Sequence, residues 1–309
     1  MTVAVNGMVT QRLVALPSDC QYVQPVPDQH PHGGLAAFTH LARVKIRGIE
    51  ARAYVKAYDR RSTAKTLGEV IGYTLASHAE LPQPAMAALV MVPGVVLREK
   101  TVGVLRTDGT ALEFDDQHIC FATLEVVGYE GGRVRSFAAV NGWSDSPIAQ
   151  DQLERVLFPW AEKWPHFGRL AAFDAWVANV DRNLGNVLWI SDKQFLVIDH
   201  GELFAGLAAP VDGNDSWPAV ETHTGQMFPH KLMDTLIQLR PDLSPKIIVD
   251  TVAGCVRMTH AYAAARDELN YWLSGNSDAV RFRAHRWLWK RLDDENLVRV
   301  VNRLMGQLV

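Results

Sequence analysis

The pattern of apolar and polar positions changes character near the middle of the chain. In the first half, residues 35–46 and 50–59 alternate apolar with polar side chains and are rich in β-branched and aromatic residues. This alternation predicts two strands, joined by a turn at Arg47 and Gly48. Three further strand candidates follow, at 87–92, 95–100 and 120–128. Residues 1–36 carry no comparable pattern and are expected to be irregular.

Helical spacing begins between these strands and dominates the second half. Leu67, Ile71 and Leu75 recur at helical intervals and predict a helix over 62–80, which Ser62 or Thr66 could cap. Two short apolar runs, at 187–190 and 195–198, predict a hairpin over 187–199. Further helices are predicted at 148–164, 167–180, 229–239, 245–268, 278–291 and 294–308.

A strand-rich half followed by a helix-rich half predicts an α+β protein with two lobes. The change of pattern places the boundary near 125–130. We therefore expect a smaller, strand-rich lobe over 1–128 and a helical lobe over 129–309. A site for a small molecule is expected in the cleft between the two lobes.

Composition narrows the class of protein. The 309 residues are 48% hydrophobic and 21% charged, which is ordinary for a globular protein with a large core. The net charge of −3 gives no overall basic field, so no direct nucleic acid partner is expected. No signal peptide and no membrane span are expected either, and three cysteines distant in sequence favour a reduced, cytoplasmic protein.

The stretch NVDRNLGNVLWISDKQFLVIDHG, residues 179–201, places three oxygen-bearing side chains around the predicted hairpin. Asp181 follows a predicted helix, Asn186 precedes the first short strand and Asp199 ends the second. A hairpin brings its two ends together, so Asn186 and Asp199 are expected to approach each other. Asp181 would lie on a loop supported by rigid elements on both sides, as functional polar groups often do.

The spacing of these residues fits phosphoryl transfer. Protein kinases use a catalytic Asp, a metal-binding Asn five positions later and a further Asp-x-Gly downstream. Asp181 and Asn186 are five positions apart, and Asp199 opens the sequence DHG. We therefore predict Asp181 as the base or hydroxyl-orienting group and Asn186 and Asp199 as ligands of Mg²⁺. The alternative is that DRNLGN is a polar turn and that Asp199 caps a neighbouring element.

The block DAWVANVDRNLGNVLWI…FLVIDHG resembles the HipA-like kinases, especially a compact branch of that family. It is also similar to the catalytic and metal-binding loops of phosphatidylinositol 3- and 4-kinases. The resemblance is strong over 170–205, weak but collinear over 37–130 and not visible over 210–309. It implies a protein-kinase-like fold that uses ATP and Mg²⁺. It also implies that Arg182 and Asn183 belong to the motif, where shaping the loop is an equally good role.

The nucleotide end of the site needs a cation for the phosphates, often a strand lysine paired with a helix glutamate. Lys56 lies on a predicted strand and is the candidate, with Lys45 as its rival. Glu69 on the following predicted helix is the candidate partner. Two alternatives remain open: Lys56 as a solvated edge residue, and Glu69 in a capping box with Thr66.

Two loops complete the expected nucleotide site. Gly33 and Gly34 precede the first long strand and could cover the phosphates with backbone N–H groups, although no GxGxxG is present. The backbone from Glu125 to Val127 is the candidate hinge that would meet the adenine. A basic, aromatic segment at 281–292 is interpreted as an amphipathic helix that packs its aromatic residues and solvates its charges.

These observations predict an ATP- and Mg²⁺-dependent, HipA-like phosphotransferase that acts on Ser or Thr of a protein substrate. HipA-like kinases often act as toxins beside a DNA-binding partner, so an antitoxin-type partner is a further expectation from the resemblance. Two alternatives remain: a kinase for a lipid head group or small molecule, and a kinase-shaped binding module without catalysis.

Overall fold

The computed structural model describes residues 12–26, 32–33, 37–106, 109–126, 129–130, 164–183, 186–191, 194–204 and 241–293, together with Arg299 and Asn302. The expected helix at 229–239 lies outside this part of the chain. The expected helices at 148–164 and 294–308 also lie outside it, except for Trp164 and for Arg299 and Asn302.

A seven-stranded sheet forms most of the N-terminal half. Its strands follow the chain as β1 (Val14–Ala15), β2 (Cys20–Pro25), β3 (His32–Gly33), β4 (Ala37–Ile46), β5 (Ile49–Tyr58), β6 (Ala87–Pro93) and β7 (Gln117–Leu124). Their order across the sheet is β1-β6-β7-β5-β4-β2, and β3 pairs with β4. The β1–β6 pair is parallel, and the other pairs are antiparallel.

The β4–β5 hairpin is the longest element of this sheet and confirms the two strands predicted at 35–46 and 50–59. The pairing runs from Ile46 opposite Ile49 to Ala37 opposite Tyr58. The turn residues Arg47 and Gly48 have φ values of 49° and 84°. Positive φ at both positions suits the tight hairpin turns whose twist matches that of the strands.

Two expectations for the first half are wrong. Residues 14–25 are not irregular, because β1 and β2 lie there, but β1 has only two residues and β2 is polar, so neither gives a readable period. The strand expected at 95–100 is a helix, α2 (Gly94–Lys100). The helix begins at Gly94, where a Cβ atom would lie 2.1 Å from the carbonyl oxygen of Asp115, and it forms despite the β-branched residues Val95 and Val96.

Among the described residues of the C-terminal half, more lie in helices than in strands, as expected. The remaining helices are α1 (Ala64–His78), α3 (Phe167–Val177), α4 (Ser244–Trp272) and α5 (Asp278–Lys290). The predicted hairpin is present as β9 (Val187–Ser191) and β10 (Gln194–Val197), which form a three-stranded sheet with β8 (Tyr129–Glu130). The fold class is therefore α+β, with a strand-rich part followed by a helical part.

Helix α1 connects the two parts. Its residues Ile71 and Leu75 belong to the main buried cluster, which is formed mostly by α3, α4 and α5. Its residues Val70 and Tyr73 pack instead with Phe121 of β7. Along the chain, β7 is the last strand of the large sheet, and the next strand, β8, pairs with β9. The predicted boundary at 128 stays a prediction. A shift of α1 would therefore disturb both the sheet and the helical core.

No helix in the described ranges is both long enough and apolar enough to cross a membrane.

We predict that Gly168→Ala destabilises the protein through the α3–α4 contact. A Cβ atom at Gly168 would lie 2.4 Å from Cβ and 2.5 Å from the carbonyl carbon of Asp250, and the backbone of α4 cannot yield cheaply. We expect a loss of about 1–3 kcal/mol in the free energy of unfolding, measured by urea denaturation. Gly275→Ala is the control, because nothing lies within 4 Å of its added Cβ, and an equal loss in both variants would contradict the packing argument.

Candidate active site

The centre of the candidate site is a lysine held between two carboxylates. Lys56 lies on β5, Glu69 on α1 and Asp199 two residues after the end of β10. The Lys56 Nζ atom is 2.6 Å from Glu69 Oε1 and 2.6 Å from Asp199 Oδ1. The structure thus brings together three of the residues singled out in the sequence, from three separate elements.

Glu69 is held by two further donors. The Tyr58 hydroxyl donates to Oε1 at 2.8 Å, and the backbone N–H of His200 donates to Oε2 at 2.8 Å. Because these contacts occupy both oxygens, Glu69 faces the site and not the first turn of its helix. Thr63 caps α1 without a side-chain hydrogen bond, so the capping-box alternative for Glu69 and the cap at Ser62 or Thr66 are wrong.

Burial and ion pairing oppose each other in this cluster. Burial alone would lower the pKa of Lys56, but the attraction of Asp199 and Glu69 raises it well above its usual value. Burial would also raise the pKa of Asp199, yet the Lys56 ammonium lowers that pKa to about 2. For Glu69, burial raises the pKa despite the nearby Lys56. Lys56 and Asp199 are therefore charged at neutral pH.

The turn that carries Asp199 has an unusual backbone. Asp199 has a φ of 60°, in the left-handed region that non-glycine residues seldom occupy. Two positions later, a Cβ atom at Gly201 would lie 2.0 Å from the Tyr58 hydroxyl oxygen. Only glycine lets the chain pass so close to β5, which explains the glycine of the DHG sequence. Strained backbone of this kind persists where surrounding contacts fix it, often at functional sites.

The loop of Asp181 is fixed by hydrogen bonds to its backbone. The N–H of Asp181 donates to Asn179 Oδ1 at 3.1 Å, and its carbonyl oxygen accepts from Asn183 Nδ2 at 2.9 Å. The side chain of Asp181 is half-buried. The backbone N–H of Ile198 donates to the Asn186 carbonyl at 3.0 Å. Asn186 is therefore tied to the residue that precedes Asp199, as the hairpin predicts.

A buried ion pair joins these loops to α3. Arg182 is completely buried and donates from Nε and Nη2 to the two oxygens of Asp174, at 3.0 and 3.1 Å. Its Nη1 also donates to the carbonyl oxygens of Ile198 at 2.7 Å and Asn186 at 3.4 Å. Arg182 thus has the loop-shaping role that the sequence left open.

His200 completes this support as a neutral side chain. Burial, with the nearby Arg182 guanidinium, lowers the pKa of His200 to about 3. Arg182 Nη2 lies 3.3 Å from His200 Nδ1, and because a guanidinium only donates, Nδ1 accepts and Nε2 carries the proton. The imidazole also meets the ring of Phe173 edge-on, at 5.8 Å between centroids. His200 therefore packs behind the site and shapes the turn.

The remaining residues predicted to contact the nucleotide are Gly33, Gly34, Glu125 and Val127. Gly33 lies in β3, whereas Gly34 and Val127 are outside the described residues. Glu125 forms a salt bridge with Arg52, and its backbone N–H donates to the Arg52 carbonyl at 2.9 Å. That N–H is therefore engaged within the protein. The roles of these residues toward a nucleotide stay predictions.

Asn186 and Asp199 fit a hard divalent cation by their chemistry. Both supply oxygen, the donor that Mg²⁺ prefers. Asp199 uses one oxygen for Lys56, and its side chain is 39% exposed, so the carboxylate can accept a further partner. The described residues include no group of three or more His, Cys, Asp or Glu side chains suited to a metal. Phosphate and water would have to supply the other ligands, which is usual for Mg²⁺.

Sequence reasoning missed two contributors to this site. Asp174 is a single charged residue in the apolar helix segment LAAFDAWV, and an isolated acid on a buried helix is a signal that calls for a buried cation. Tyr58 lies two positions after Lys56 and therefore on the same strand face. Its contact with Glu69 depends on where α1 crosses the sheet, which the sequence does not reveal.

Comparison with known proteins leaves the family open. No protein-family model matches the chain, and no curated protein matches it significantly. Among solved structures, it is similar to the proinflammatory kinase CtkA of Helicobacter pylori, at 12% identity and a TM-score of 0.49, over 95% of this chain and 98% of that one. It is more distantly similar to spectinomycin phosphotransferase APH(9)-Ia, at 11% identity and a TM-score of 0.22, over 93% of both chains.

Neither value supports an argument about activity. The kinase-like character of the fold therefore rests on the arrangement itself: a strand lysine, paired with a glutamate on the next helix, above two loops that carry Asp and Asn. The resemblance to HipA-like and phosphatidylinositol kinases stays a prediction.

We predict that Arg182→Met destabilises the protein by about 3–5 kcal/mol, because it leaves the buried Asp174 carboxylate without its counter-ion. Combining it with Asp174→Leu should restore at least half of that loss. Arg43→Met is the control: it removes an exposed ion pair with Glu50 and should cost less than about 1 kcal/mol. Urea denaturation measures all three variants against the wild type, and equal losses at Arg182 and Arg43 would contradict the burial argument.

We also predict an acid-sensitive stability that depends on His200. Its pKa is lowered from 6.5 to about 3 on folding, so below pH 6.5 the unfolded chain binds a proton that the folded chain does not. Stability should therefore fall with decreasing pH, with a contribution approaching about 1.4 kcal/mol per pH unit between pH 6 and 4. His200→Gln should make the slope shallower by that amount, whereas His260→Gln, at an exposed position of α4, should leave it unchanged. Equal slopes in wild type and His200→Gln would refute the assignment.

Proposed function

We propose that the protein is an ATP- and Mg²⁺-dependent phosphotransferase. The observation that carries the proposal is the position of the Lys56 ammonium, 2.6 Å from both Glu69 and Asp199. This cluster joins the strand lysine, the helix glutamate and the Asp of a DHG turn, which together hold the nucleotide phosphates in protein kinases.

Lys56 binds the phosphates of the nucleotide. Its raised pKa keeps the ammonium charged, and its side chain is 17% exposed, so it can reach a ligand without leaving the cluster. Glu69 holds the ammonium in place while Tyr58 and the His200 backbone hold Glu69. Such fixed charges contribute to catalysis because they need no reorganisation when the phosphoryl group moves.

Asp181 acts on the acceptor hydroxyl. It orients the O–H group and takes its proton while the hydroxyl oxygen forms a bond to the γ-phosphorus and the bond from that phosphorus to the β-phosphate oxygen breaks. ADP leaves with the electron pair of the broken bond. The hydrogen bond that Asp181 N–H donates to Asn179 and the one that its carbonyl accepts from Asn183 fix the backbone of Asp181 for this role.

Asn186 and Asp199 hold the divalent cation, which supplies neutralisation of phosphate charge when it is bound. Asp199 keeps a low pKa beside Lys56 and is thus ionised throughout the neutral range. The bond from Ile198 to the Asn186 carbonyl keeps the two ligands at neighbouring ends of the hairpin.

The acceptor is a Ser or Thr of a protein substrate, and an antitoxin-type partner accompanies the kinase. Both points are supported by the resemblance of residues 170–205 to HipA-like kinases. A cytoplasmic location is supported by the three cysteines, which are distant in sequence. A lipid head group or small molecule as acceptor is the competing hypothesis, motivated by the similarity of DRNLGN to phosphatidylinositol kinases.

We predict that Asp181→Asn and Lys56→Met each lower phosphate transfer from labelled ATP by about 10²-fold or more, because one removes the proton acceptor and the other the phosphate-binding cation. The assay follows label into the protein itself, into cell extract and into its lipid and metabolite fractions. Lys45→Met is the matched control, since this exposed lysine of β4 lies outside the cluster.

Full transfer by Asp181→Asn would remove the assigned role. Label in the lipid or metabolite fraction, and none in protein, would decide for the competing acceptor. ATP binding without turnover in the wild type would point instead to a binding module.

A further inference from the structure

One face of α1 carries the turn that follows β10. Residues 65, 68, 69 and 72 lie at helical intervals and therefore share a face. Glu69 accepts the backbone N–H of His200 at 2.8 Å. A Cβ atom at Gly68 would lie 3.5 Å from the Gly201 carbonyl oxygen, and one at Gly72 would lie 2.3 Å from the His200 Cβ. The turn is thus packed along two turns of the helix.

An ion pair closes the N-terminal end of this contact. Lys65 Nζ lies 2.5 Å from Glu202 Oε1, and the two side chains are 18% and 25% exposed. Neither residue belongs to the cluster around Lys56. At this exposure the charges are partly desolvated, so their attraction is stronger than that of a pair in open water.

Glu202 also contacts the loop of Asp181. The backbone N–H of Val180, the residue before Asp181, donates to the Glu202 carbonyl at 3.4 Å. Glu202 therefore touches α1 through its side chain and the Asp181 loop through its backbone, three residues after Asp199. It is the point at which the helix, the Asp181 loop and the Asp199 turn meet.

We propose that Lys65 and Glu202 are positioning residues that fix the Asp199 turn against α1 and, through Val180, set its position relative to Asp181. The inference rests on the proposed function, because it assigns the pair to the same site. Neither residue touches the reacting groups. Their effect is on the geometry in which Asp181 and Asp199 are presented, and a displacement of about 1 Å at such a site can cost about 10²-fold in rate.

The experiment is a charge exchange between the two positions. Lys65→Glu and Glu202→Lys each place like charges together, so we expect each to lower kcat by about 10-fold or more while KM for ATP changes less than about 3-fold. The double variant restores the attraction with reversed signs and should recover kcat to within about 3-fold of the wild type. If the single variants lowered kcat for a reason other than loss of this ion pair, the double variant would not recover kcat.

The matched control is the pair of Lys246 and Asp250 on α4, 2.7 Å apart and exposed. Lys246→Glu, Asp250→Lys and their combination should leave kcat unchanged. The proposal is overturned if the single variants at Lys65 and Glu202 keep full kcat. It is also overturned if the folded double variant is as slow as the single ones.

Hydrogen exchange separates this inference from the proposed function. The amide of His200 donates to Glu69, so its protection reports how firmly the turn is held on α1. The single variants should speed exchange at His200 by about 10-fold, the double variant should reverse this, and amides of α4 should not change. A wild type without phosphate transfer would refute the proposed function, and unchanged exchange at His200 would still refute the positioning role.

Discussion

The ammonium of Lys56 is the point on which the candidate site depends. It joins residues from β5, α1 and the turn after β10, which are separated by up to 143 positions in sequence. A buried or half-buried charge is stable only when it is paired and hydrogen-bonded, so each of these elements must be in place for the others to be. One ammonium facing two carboxylates also leaves room for further positive charge. That balance supports the proposed binding of a cation together with an anionic nucleotide.

Two ion pairs of different character support the same loops. The side chains of Arg182 and Asp174 have no exposed surface. Arg182 donates to the Asp174 carboxylate and to the backbone carbonyls of Asn186 and Ile198. The pair of Lys56 and Asp199 keeps 17% and 39% of its side chains exposed. The first pair is closed to ligands and acts as a scaffold, whereas the second can exchange partners. Both pairs join a basic residue to an aspartate, so burial, and not residue type, distinguishes the structural pair from the pair that can bind a ligand.

How much the sequence predicts depends on the length and regularity of the pattern. The ten-residue strands of the β4–β5 hairpin and the helix α1 were predictable, because their periods extend over many residues. The two-residue strand β1 and the short helix α2 were not, because fewer than two full periods carry little information. The contact between Lys56 and Glu69 was expected from the motif. The partners of Tyr58 and Asp174 are set by tertiary contacts, and no local pattern reveals which residues those partners are.

The short contacts around Lys56 require backbones that approach closely. A side chain at Gly201 would collide with the Tyr58 hydroxyl, and one at Gly72 would collide with His200. Glycine in a helix costs about 1 kcal/mol relative to alanine, so Gly72 weakens α1 considered alone. The contact of α1 with the Asp199 turn, the two hydrogen bonds to Glu69 and the burial of Ile71 and Leu75 offset that cost. Contacts with the site and with the core therefore stabilise α1 in its position. The helix propensity of its own sequence contributes only part of that stability.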